Sequence, residues 1–236
     1  AIALKRGAFA VEAPSARCSE SKTCTKTEVQ PNDLTYRKDG GMGLFTLGLL
    51  DTHFSERDRE ARLAVFSWVA GQRFAFGVDE TTALLVDIKP FGDYSMEVLG
   101  QNGVFILDMK HGQGNVEVEA GADTDTLQQS QNYISGISHF LNQGDSAHFT
   151  AKSDEFKVEF PPESQLLSKR KSARFAIESK GKWRAVVANK CGSRHLISWM
   201  KWQQVFAVQA SEQTRFSRTQ NKQCSYADLP FVIKTS

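Results

Sequence analysis

The sequence predicts an α/β protein, with a largely parallel sheet in its first half and a β-rich region in its second. Three observations lead to this prediction. The apolar run from Leu44 to Leu50 stops abruptly at Asp51, and a helical pattern follows it. The run from Ala83 to Ile88 is almost uninterrupted, as is typical of strands buried in parallel or central positions. From Asn115 onward, mainly strand-like segments replace this pattern.

The composition is that of a globular chain. A length of 236 residues with 40% hydrophobic content can bury one large core or two modest ones, so we expect one or two domains. The formal net charge of +2 excludes a strongly polyanionic or polycationic protein. No apolar run approaches the roughly 20 residues of a membrane span, and the first residues lack the layout of a signal peptide. We therefore expect no membrane partner.

Two segments precede the first strand. The stretch from Ala1 to Ala10 is rich in Ala, Leu and Ile and predicts a helix that begins without a cap. The stretch from Gln30 to Met42 contains proline and paired glycines and predicts a loop that could overhang a site.

After the first strand, Ser55 and Asp58 form a Ser-x-x-Asp capping box, so we expect a helix from there to about Gly71. Its core-facing stripe is supplied by Ala61, Phe66, Val69 and Ala70.

Strand-like segments follow this helix. Arg73 to Gly77 predicts a strand, and Asp79 and Glu80 then lie in the turn before the run that starts at Ala83. Asn102-Gly103 predicts a hairpin turn between two short strands, Glu97–Gly100 and Val104–Leu107.

The pattern changes near residue 115, where we place a boundary between residues 1–115 and a β-rich accessory domain of residues 116–236. Asp125 to Asn142 has apolar residues at helical spacing and predicts a helix. The remaining predicted strands are Phe149–Lys152, Phe156–Phe160, Arg174–Glu178, Trp183–Ala188, His195–Met200 and Val205–Gln209.

Polar residues gather where the first predicted strand ends, at the edge of the sheet where open α/β folds bind ligands. His53 is a candidate general base, because imidazole can accept a proton from a nucleophile and return it to a leaving amine. A lone histidine at a strand end is more often a structural hydrogen-bonding group. Glu80 could orient this histidine, or it could be a simple turn carboxylate. Arg57, Arg59 and Arg62 would ordinarily form a solvated helix face.

Two ordered motifs carry a family resemblance. The run Asp51-Thr52-His53-Phe54-Ser55-Glu56-Arg57-Asp58-Arg59-Glu60-Ala61-Arg62-Leu63 resembles a motif of cyanophycinases and related S51 serine peptidases, which include aspartyl dipeptidases. The segment Phe76-Gly77-Val78-Asp79-Glu80-Thr81-Thr82-Ala83-Leu84 is similar to a second motif of that family. The resemblance covers roughly the first half of the chain, and two motifs in order are a stronger signal than one.

The resemblance implies a fold and a set of roles. It implies a flavodoxin-like parallel sheet, as in class I glutamine amidotransferases, of which this chain would hold only the C-terminal part. His53 would be the catalytic histidine and Glu80 the acid of a Ser-His-acid triad. The residues implied to surround the substrate are Asp51, Thr52, Arg57, Arg59 and Arg62. Cyanophycinases typically have Gln at the position of Thr52, so Thr52 argues against cyanophycin itself as the substrate.

The resemblance also implies a nucleophile that this sequence does not contain. In the family, a Gly-x-Ser-Ala-Gly turn carries the serine, and Ala1 would fall just after that turn. We therefore expect a serine-type peptidase that hydrolyses aspartyl or β-aspartyl bonds, with its nucleophile in an upstream segment, possibly a separate chain. The alternative is a non-catalytic binding protein that keeps the pocket. Neither interpretation requires a cofactor or a metal.

The four cysteines suggest two disulfides, Cys18–Cys24 and Cys191–Cys224, and therefore an extracytoplasmic protein, periplasmic or secreted. Four free thiols in a cytosolic protein are the alternative, and the spacings do not favour zinc.

Two further features have a less functional interpretation. Gly144-Asp145-Ser146-Ala147-His148 superficially resembles a nucleophile turn, but we assign it to a turn between a helix and a strand. The basic residues between Lys169 and Arg194 could bind nucleic acid, but a solvated sheet face is favoured, so we expect no nucleic-acid partner.

Overall fold

The computed structural model describes residues 43–115, 133–168, 176–180, 195–199 and 204–235, together with Trp183, Val187, Cys191 and Gly192. The predictions made for the helix from Ala1 to Ala10, for the loop from Gln30 to Met42 and for the Cys18–Cys24 pair lie outside these residues, as do most of the basic residues between Lys169 and Arg194.

The described residues form fourteen strands and one complete α-helix. The first half contains β1 (Leu49–Thr52), a 3-10 turn (Ser55–Arg57), α1 (Glu60–Val69), β2 (Phe74–Val78), β3 (Thr82–Ile88), a second 3-10 turn (Pro90–Gly92), β4 (Tyr94–Gly100) and β5 (Gly103–Asn115). The second half contains β6 (Tyr133–Asn142), β7 (Ser146–Thr150), β8 (Glu155–Glu159), β9 (Gln165–Leu167), β10 (Ala176–Lys180), β11 (His195–Trp199), β12 (Gln204–Gln209), β13 (Arg215–Arg218) and β14 (Cys224–Thr235).

These strands build two sheets. The larger sheet has the order β1-β2-β5-β6-β14-β12-β11-β10, with β13 and β9 added beside β14. The smaller sheet has the order β3-β4-β7-β8. Each sheet contains strands from both sides of residue 115, because β5 pairs with β6 and β4 pairs with β7.

The core lies on both faces of the larger sheet, and strand alternation divides it. Phe105 and Leu107 of β5 face α1 and the buried helical residue Trp183. Val104 and Ile106 of the same strand face the smaller sheet. β5 is therefore buried on both faces, which explains the nearly continuous apolar sequence from Val104 to Leu107.

The predicted fold class is wrong. The protein is mainly β, and a flavodoxin-like parallel sheet does not describe it. Among the described strands only two pairs are parallel, β1 with β2 and β10 with β11, and the remaining pairs are antiparallel. In the first half of the chain, parallel pairing among the described strands is confined to β1 and β2, because β2 continues the sheet through antiparallel pairing with β5.

Several predicted elements differ in the structure. β3 lies at the edge of the smaller sheet with alternate residues exposed, so it is not a buried central strand. β4 and β5 belong to different sheets, and Asn102-Gly103 therefore does not close a hairpin. Residues 133–142 are strand β6 and not part of a helix, because they pair with both β5 and β14. Trp183 and Val187 are helical and not in a strand.

Cys191 and Cys224 form a disulfide, as predicted. The bond joins the start of β14 to a residue 33 positions earlier in the chain. Within the part of the chain that the structure describes, no helix has the length and apolar character of a membrane span.

Candidate functional site

The β1-α1-β2 unit brings two loops to one edge of the larger sheet. β1 and β2 are parallel neighbours, and Thr52 at the end of β1 lies opposite Val78 at the end of β2. The residues that follow each strand therefore emerge side by side at the carboxyl edge. The first loop begins with His53, and the second consists of Asp79, Glu80 and Thr81.

His53 and Glu80 are in contact across these two loops. His53 Nδ1 lies 2.8 Å from Glu80 Oε1. A carboxylate oxygen can only accept, so in the neutral imidazole this contact places the proton on Nδ1 and leaves the lone pair on Nε2. About half of each side chain is exposed, 54% for His53 and 50% for Glu80. This pair, which we call the dyad, presents a proton-accepting nitrogen at an accessible edge.

The backbone at His53 adopts an unusual conformation. Its φ is 49°, in the left-handed region that side chains other than glycine seldom occupy. The next residue, Phe54, is fully buried and its ring stacks on Phe105 with centroids 5.3 Å apart. Phe54 also packs on the face of Gly77, where a Cβ would lie 2.3 Å from the ring. The buried Phe54 ring anchors the loop and turns His53 outward.

Two hydrogen bonds cross between the loops beside the dyad. The backbone N–H of Ser55 donates to Asp79 Oδ1 over 2.9 Å, and the backbone N–H of Glu80 donates to Glu56 Oε1 over 3.1 Å. Each loop thus supplies one carboxylate that accepts from the backbone of the other. Asp79 is 3% exposed and also accepts from the N–H of Gly103 at 3.4 Å.

The second loop is also fixed through the backbone carbonyl of Glu80. Asn102 Nδ2 donates to this oxygen over 2.9 Å, and Thr82 Oγ1 donates over 3.1 Å. Thr81, which lies between Glu80 and Thr82 in the chain, has a φ of 55°, an outlier for a β-branched residue. Backbone positions of this kind persist where surrounding contacts determine them, and they cluster at functional sites.

The predicted substrate-binding residues Asp51, Arg59 and Arg62 are engaged with one another. Arg59 Nη1 donates to Asp51 Oδ1 over 2.7 Å and to the carbonyl of Thr52 over 2.8 Å. Arg62 donates to the other oxygen of Asp51, which is buried. Burial lowers the pKa of Arg59, and the charge of Asp51 opposes this effect. A substrate carboxylate at these arginines would have to compete with Asp51, so their role in substrate binding stays a prediction.

Arg57 differs from the other two arginines. It lies in the 3-10 turn, between the loop of His53 and α1, and it is exposed. The capping box predicted for Ser55 and Asp58 does not form, because Asp58 has a φ of 50° and ends the 3-10 turn. The α-helix begins at Glu60 without a side-chain cap. This interruption separates Arg57 from the helix that carries Arg59 and Arg62 toward Asp51.

Ser146 lies away from the dyad, in the smaller sheet. The Gly144-Asp145 turn joins β6 to β7, so it connects two strands and not a helix to a strand. Ser146 is the first residue of β7 and pairs with Glu97 and Glu159.

Sequence reasoning identified His53 and Glu80 but assigned no role to Asp79, Glu56 or Asn102. Asp79 and Glu56 lie inside the quoted motifs, and a carboxylate adjoining a turn was the available signal. Asn102 is predicted from the sequence to lie in a hairpin turn, which the structure does not contain. No sequence pattern shows that each of these side chains forms a hydrogen bond with the backbone of a neighbouring loop.

A scan of the chain against models of known protein families matches none of them. In the ranges that the structure describes, no three His, Cys, Asp or Glu side chains come together as a group that could hold a metal ion.

Proposed function

We propose that this chain provides the base and the orienting acid of a serine-type peptidase that hydrolyses aspartyl or β-aspartyl peptide bonds. The single observation that supports this proposal is the 2.8 Å contact between His53 Nδ1 and Glu80 Oε1. In a Ser-His-acid triad the acid bonds to Nδ1, so that Nε2 takes the proton of the serine hydroxyl. Glu80 engages the nitrogen that this mechanism requires.

The dyad alone does not attack a peptide bond. We assign the nucleophile to a serine on an upstream Gly-x-Ser-Ala-Gly turn, which this sequence does not contain, and we expect that serine to lie against His53 Nε2. The serine oxygen would attack the scissile carbonyl while Nε2 takes its proton, and His53 would then return that proton to the leaving amine. Glu80 would stabilise the imidazolium that forms between these steps.

The substrate class is part of the proposal. A guanidinium group suits recognition of a carboxylate through two parallel hydrogen bonds. Arg57 is exposed and lies four residues after the catalytic histidine, so we assign it to an aspartyl carboxylate of the substrate. Arg59 and Arg62 hold Asp51 and through it the end of β1. The Cys191–Cys224 disulfide supports an oxidising compartment, and we propose a periplasmic or secreted location.

The test uses the full chain alone and the same chain joined to a segment that carries a strand and a Gly-x-Ser-Ala-Gly turn. Both are assayed on β-aspartyl-arginine and on α-aspartyl dipeptides. We expect hydrolysis only by the joined protein, with loss of about a million-fold in turnover when its serine is replaced by alanine. His53→Ala in the joined protein should abolish hydrolysis, whereas His148→Ala, on the smaller sheet, should not.

Two results would contradict the proposal. Hydrolysis by the unjoined chain that His53→Ala abolishes would place the nucleophile within these 236 residues. A joined, folded protein that binds aspartyl peptides without hydrolysing them would favour the non-catalytic binding protein.

A further inference from the structure

Asp79 and Glu56 both use their carboxylates to hold backbone amides, and neither has a role in the proton transfers described above. Asp79 accepts from Ser55, two residues after His53, while it directly precedes Glu80 in the chain. Glu56 lies three residues after His53 and accepts from the backbone of Glu80. The two bonds cross in opposite directions, so each loop holds the other.

We propose that Asp79 and Glu56 are positioning residues that set the distance and orientation of His53 relative to Glu80. This inference rests on the proposed function for its catalytic meaning, but the geometry that it explains belongs to the described residues. Without the crossing bonds, the two loops would be linked at the site by the half-exposed dyad contact. Solvent competes strongly with such an exposed contact.

The strained backbone makes such positioning necessary. His53 and Thr81 both have positive φ angles, at 49° and 55°, and such conformations are unfavourable for residues other than glycine. They persist only when neighbouring contacts fix them. The bond from Ser55 to Asp79 holds the first loop just after His53, and the bond from Glu80 to Glu56 holds the second just before Thr81.

Asp79 is suited to this task because both of its oxygens are used. Oδ1 accepts from Ser55 and Oδ2 accepts from Gly103, the first residue of β5. The N–H of Asp79 also donates to the carbonyl of Gly103 over 3.1 Å. Asparagine has one acceptor oxygen, so in either orientation its amide would direct N–H groups at a backbone donor. Asp79→Asn therefore preserves the shape of the side chain but sets an amide N–H group against the backbone N–H of Ser55 or of Gly103, and this repulsion displaces the loop in either orientation.

The first measurement reads the dyad without any need for peptidase activity. Long-range ¹H–¹⁵N NMR of the unjoined chain gives the tautomer of the His53 imidazole. We expect the Nδ1–H tautomer in the parent protein and a mixture of both tautomers in Asp79→Asn and in Glu56→Ala. The matched control is Asp87→Asn, which makes the same chemical change at an exposed position of β3 and should keep the parent tautomer.

The second measurement uses the protein joined to its nucleophile segment. Misplacing a catalytic group by about 1 Å can reduce the rate about a hundredfold. We expect Asp79→Asn to lower kcat by about 10- to 100-fold and to change KM by less than about twofold, since no substrate contact is lost. Glu56→Ala should act in the same direction, and Asp87→Asn should match the parent.

The outcomes separate this inference from the proposed function. If the joined parent is inactive, the proposed function fails, and the NMR measurement still decides the positioning role. If folded Asp79→Asn and Glu56→Ala keep the parent tautomer, the positioning role is overturned even when the joined protein is active. If Asp79→Asn fails to fold, Glu56→Ala decides, because its half-buried side chain belongs to the short 3-10 turn and not to the core.

Discussion

His139 is a buried residue whose imidazole is held uncharged. Its Nδ1 accepts the backbone N–H of Asp228 over 3.1 Å, and this bond requires the neutral ring. Burial lowers the pKa of His139 to about 4, although the nearby carboxylates of Asp228 and Asp108 oppose the shift. The positive charge of Arg215 adds to the lowering.

We expect this histidine to make the fold sensitive to acid. The unfolded chain takes up a proton near pH 6.5, whereas the folded chain does so only near pH 4, so stability falls as the pH drops through this window. The loss should reach about 3 kcal/mol at pH 4. His139→Asn keeps an acceptor near the place of Nδ1 but does not titrate. As the pH falls from 7 to 4, the free energy of unfolding of His139→Asn, measured in urea, should therefore rise relative to that of the parent by about 3 kcal/mol.

The matched control for His139→Asn is the same substitution at the partly buried His148, which shows how much of the measured change comes from replacing any histidine by asparagine. If His139→Asn gives a curve parallel to the parent, the buried neutral imidazole is not the cause of acid sensitivity.

Asp145 should have the opposite pH dependence. Burial raises its pKa to about 6, against the hydrogen bonds from Ser225 and from the N–H of Asn142. Its contribution to stability is fully present below about pH 3.8 and is lost as the pH rises through about 6. The free energy of unfolding of Asp145→Asn should thus rise relative to that of the parent by about 2 to 3 kcal/mol as the pH is raised from 4 to 8.

Asp87→Asn is the control for Asp145→Asn, because Asp87 is exposed. The prediction is contradicted if Asp145→Asn differs from the parent by the same free energy of unfolding at pH 4 and at pH 8. His139 and Asp145 act in opposite directions between pH 4 and pH 6. The parent protein alone would hide both effects, so the variants are needed to separate them.

At the scale of elements, the packing of Phe54 on Gly77 couples the site to the sheet. A Cβ at Gly77 would lie 2.3 Å from the Phe54 ring, so Gly77→Ala must displace that ring and the loop before it. We expect a loss of about 1 to 3 kcal/mol, because overpacked cores shift side chains and backbone. Phe54→Leu frees space, so the double variant Phe54→Leu/Gly77→Ala should be more stable than the sum of the two single changes predicts. Chemical denaturation of the four proteins measures this coupling, and additive losses would contradict it.

Strand existence could be predicted from the sequence, but strand partners could not. The apolar runs at β2, β3 and β5 correctly indicated strands. An edge strand and a central strand can share the same apolar sequence, and only tertiary pairing decides between them. β3 is an example, because Leu85 and Ile88 are 56% and 60% exposed. The apolar run from Ala83 to Ile88 is nevertheless typical of a buried strand.

β14 is not predicted from the sequence, and its composition gives a physical reason. It contains Pro230, which removes a backbone donor and ordinarily argues against an inner strand. The structure accommodates it where β14 changes partners, since β13 pairs as far as Ala227 and β12 pairs from Phe231. Asp228, with a φ of 55°, lies at this change of partner.

At the scale of the whole molecule, the disulfide links the two ends of a long segment of the larger sheet. In the chain-entropy account, a loop of 33 residues should contribute roughly 3 to 4 kcal/mol. We expect the double variant Cys191→Ala/Cys224→Ala to lose about this much free energy of unfolding, measured in urea. A loss below about 1 kcal/mol would contradict this expectation.

Reductant provides the control for the disulfide. It should destabilise the parent protein to a similar extent as the double substitution. Any further loss that reductant causes in the double variant would report a second disulfide, which tests the predicted Cys18–Cys24 pair.

The predicted fold class is wrong, although the structure does bring His53 and Glu80 into contact. The site depends on a parallel unit that spans Leu49 to Glu80, and its apolar runs and polar ends are visible over that short range. The class depends on how β2, β5, β6 and β14 pair across large separations, and no local pattern specifies that order. The proximity of His53 and Glu80 could therefore be predicted from local sequence, whereas the global topology could not.

The two hydrogen bonds that cross between the loops also allow the opening of the site to be measured separately from unfolding. The amide hydrogens of Ser55 and Glu80 are held by side chains and not by a strand ladder, so they exchange with solvent when the loops separate, without global unfolding. Amides in β5, by contrast, are released only by much larger openings. Comparing deuterium uptake at these positions would give the free energy of opening the site separately from that of unfolding the protein.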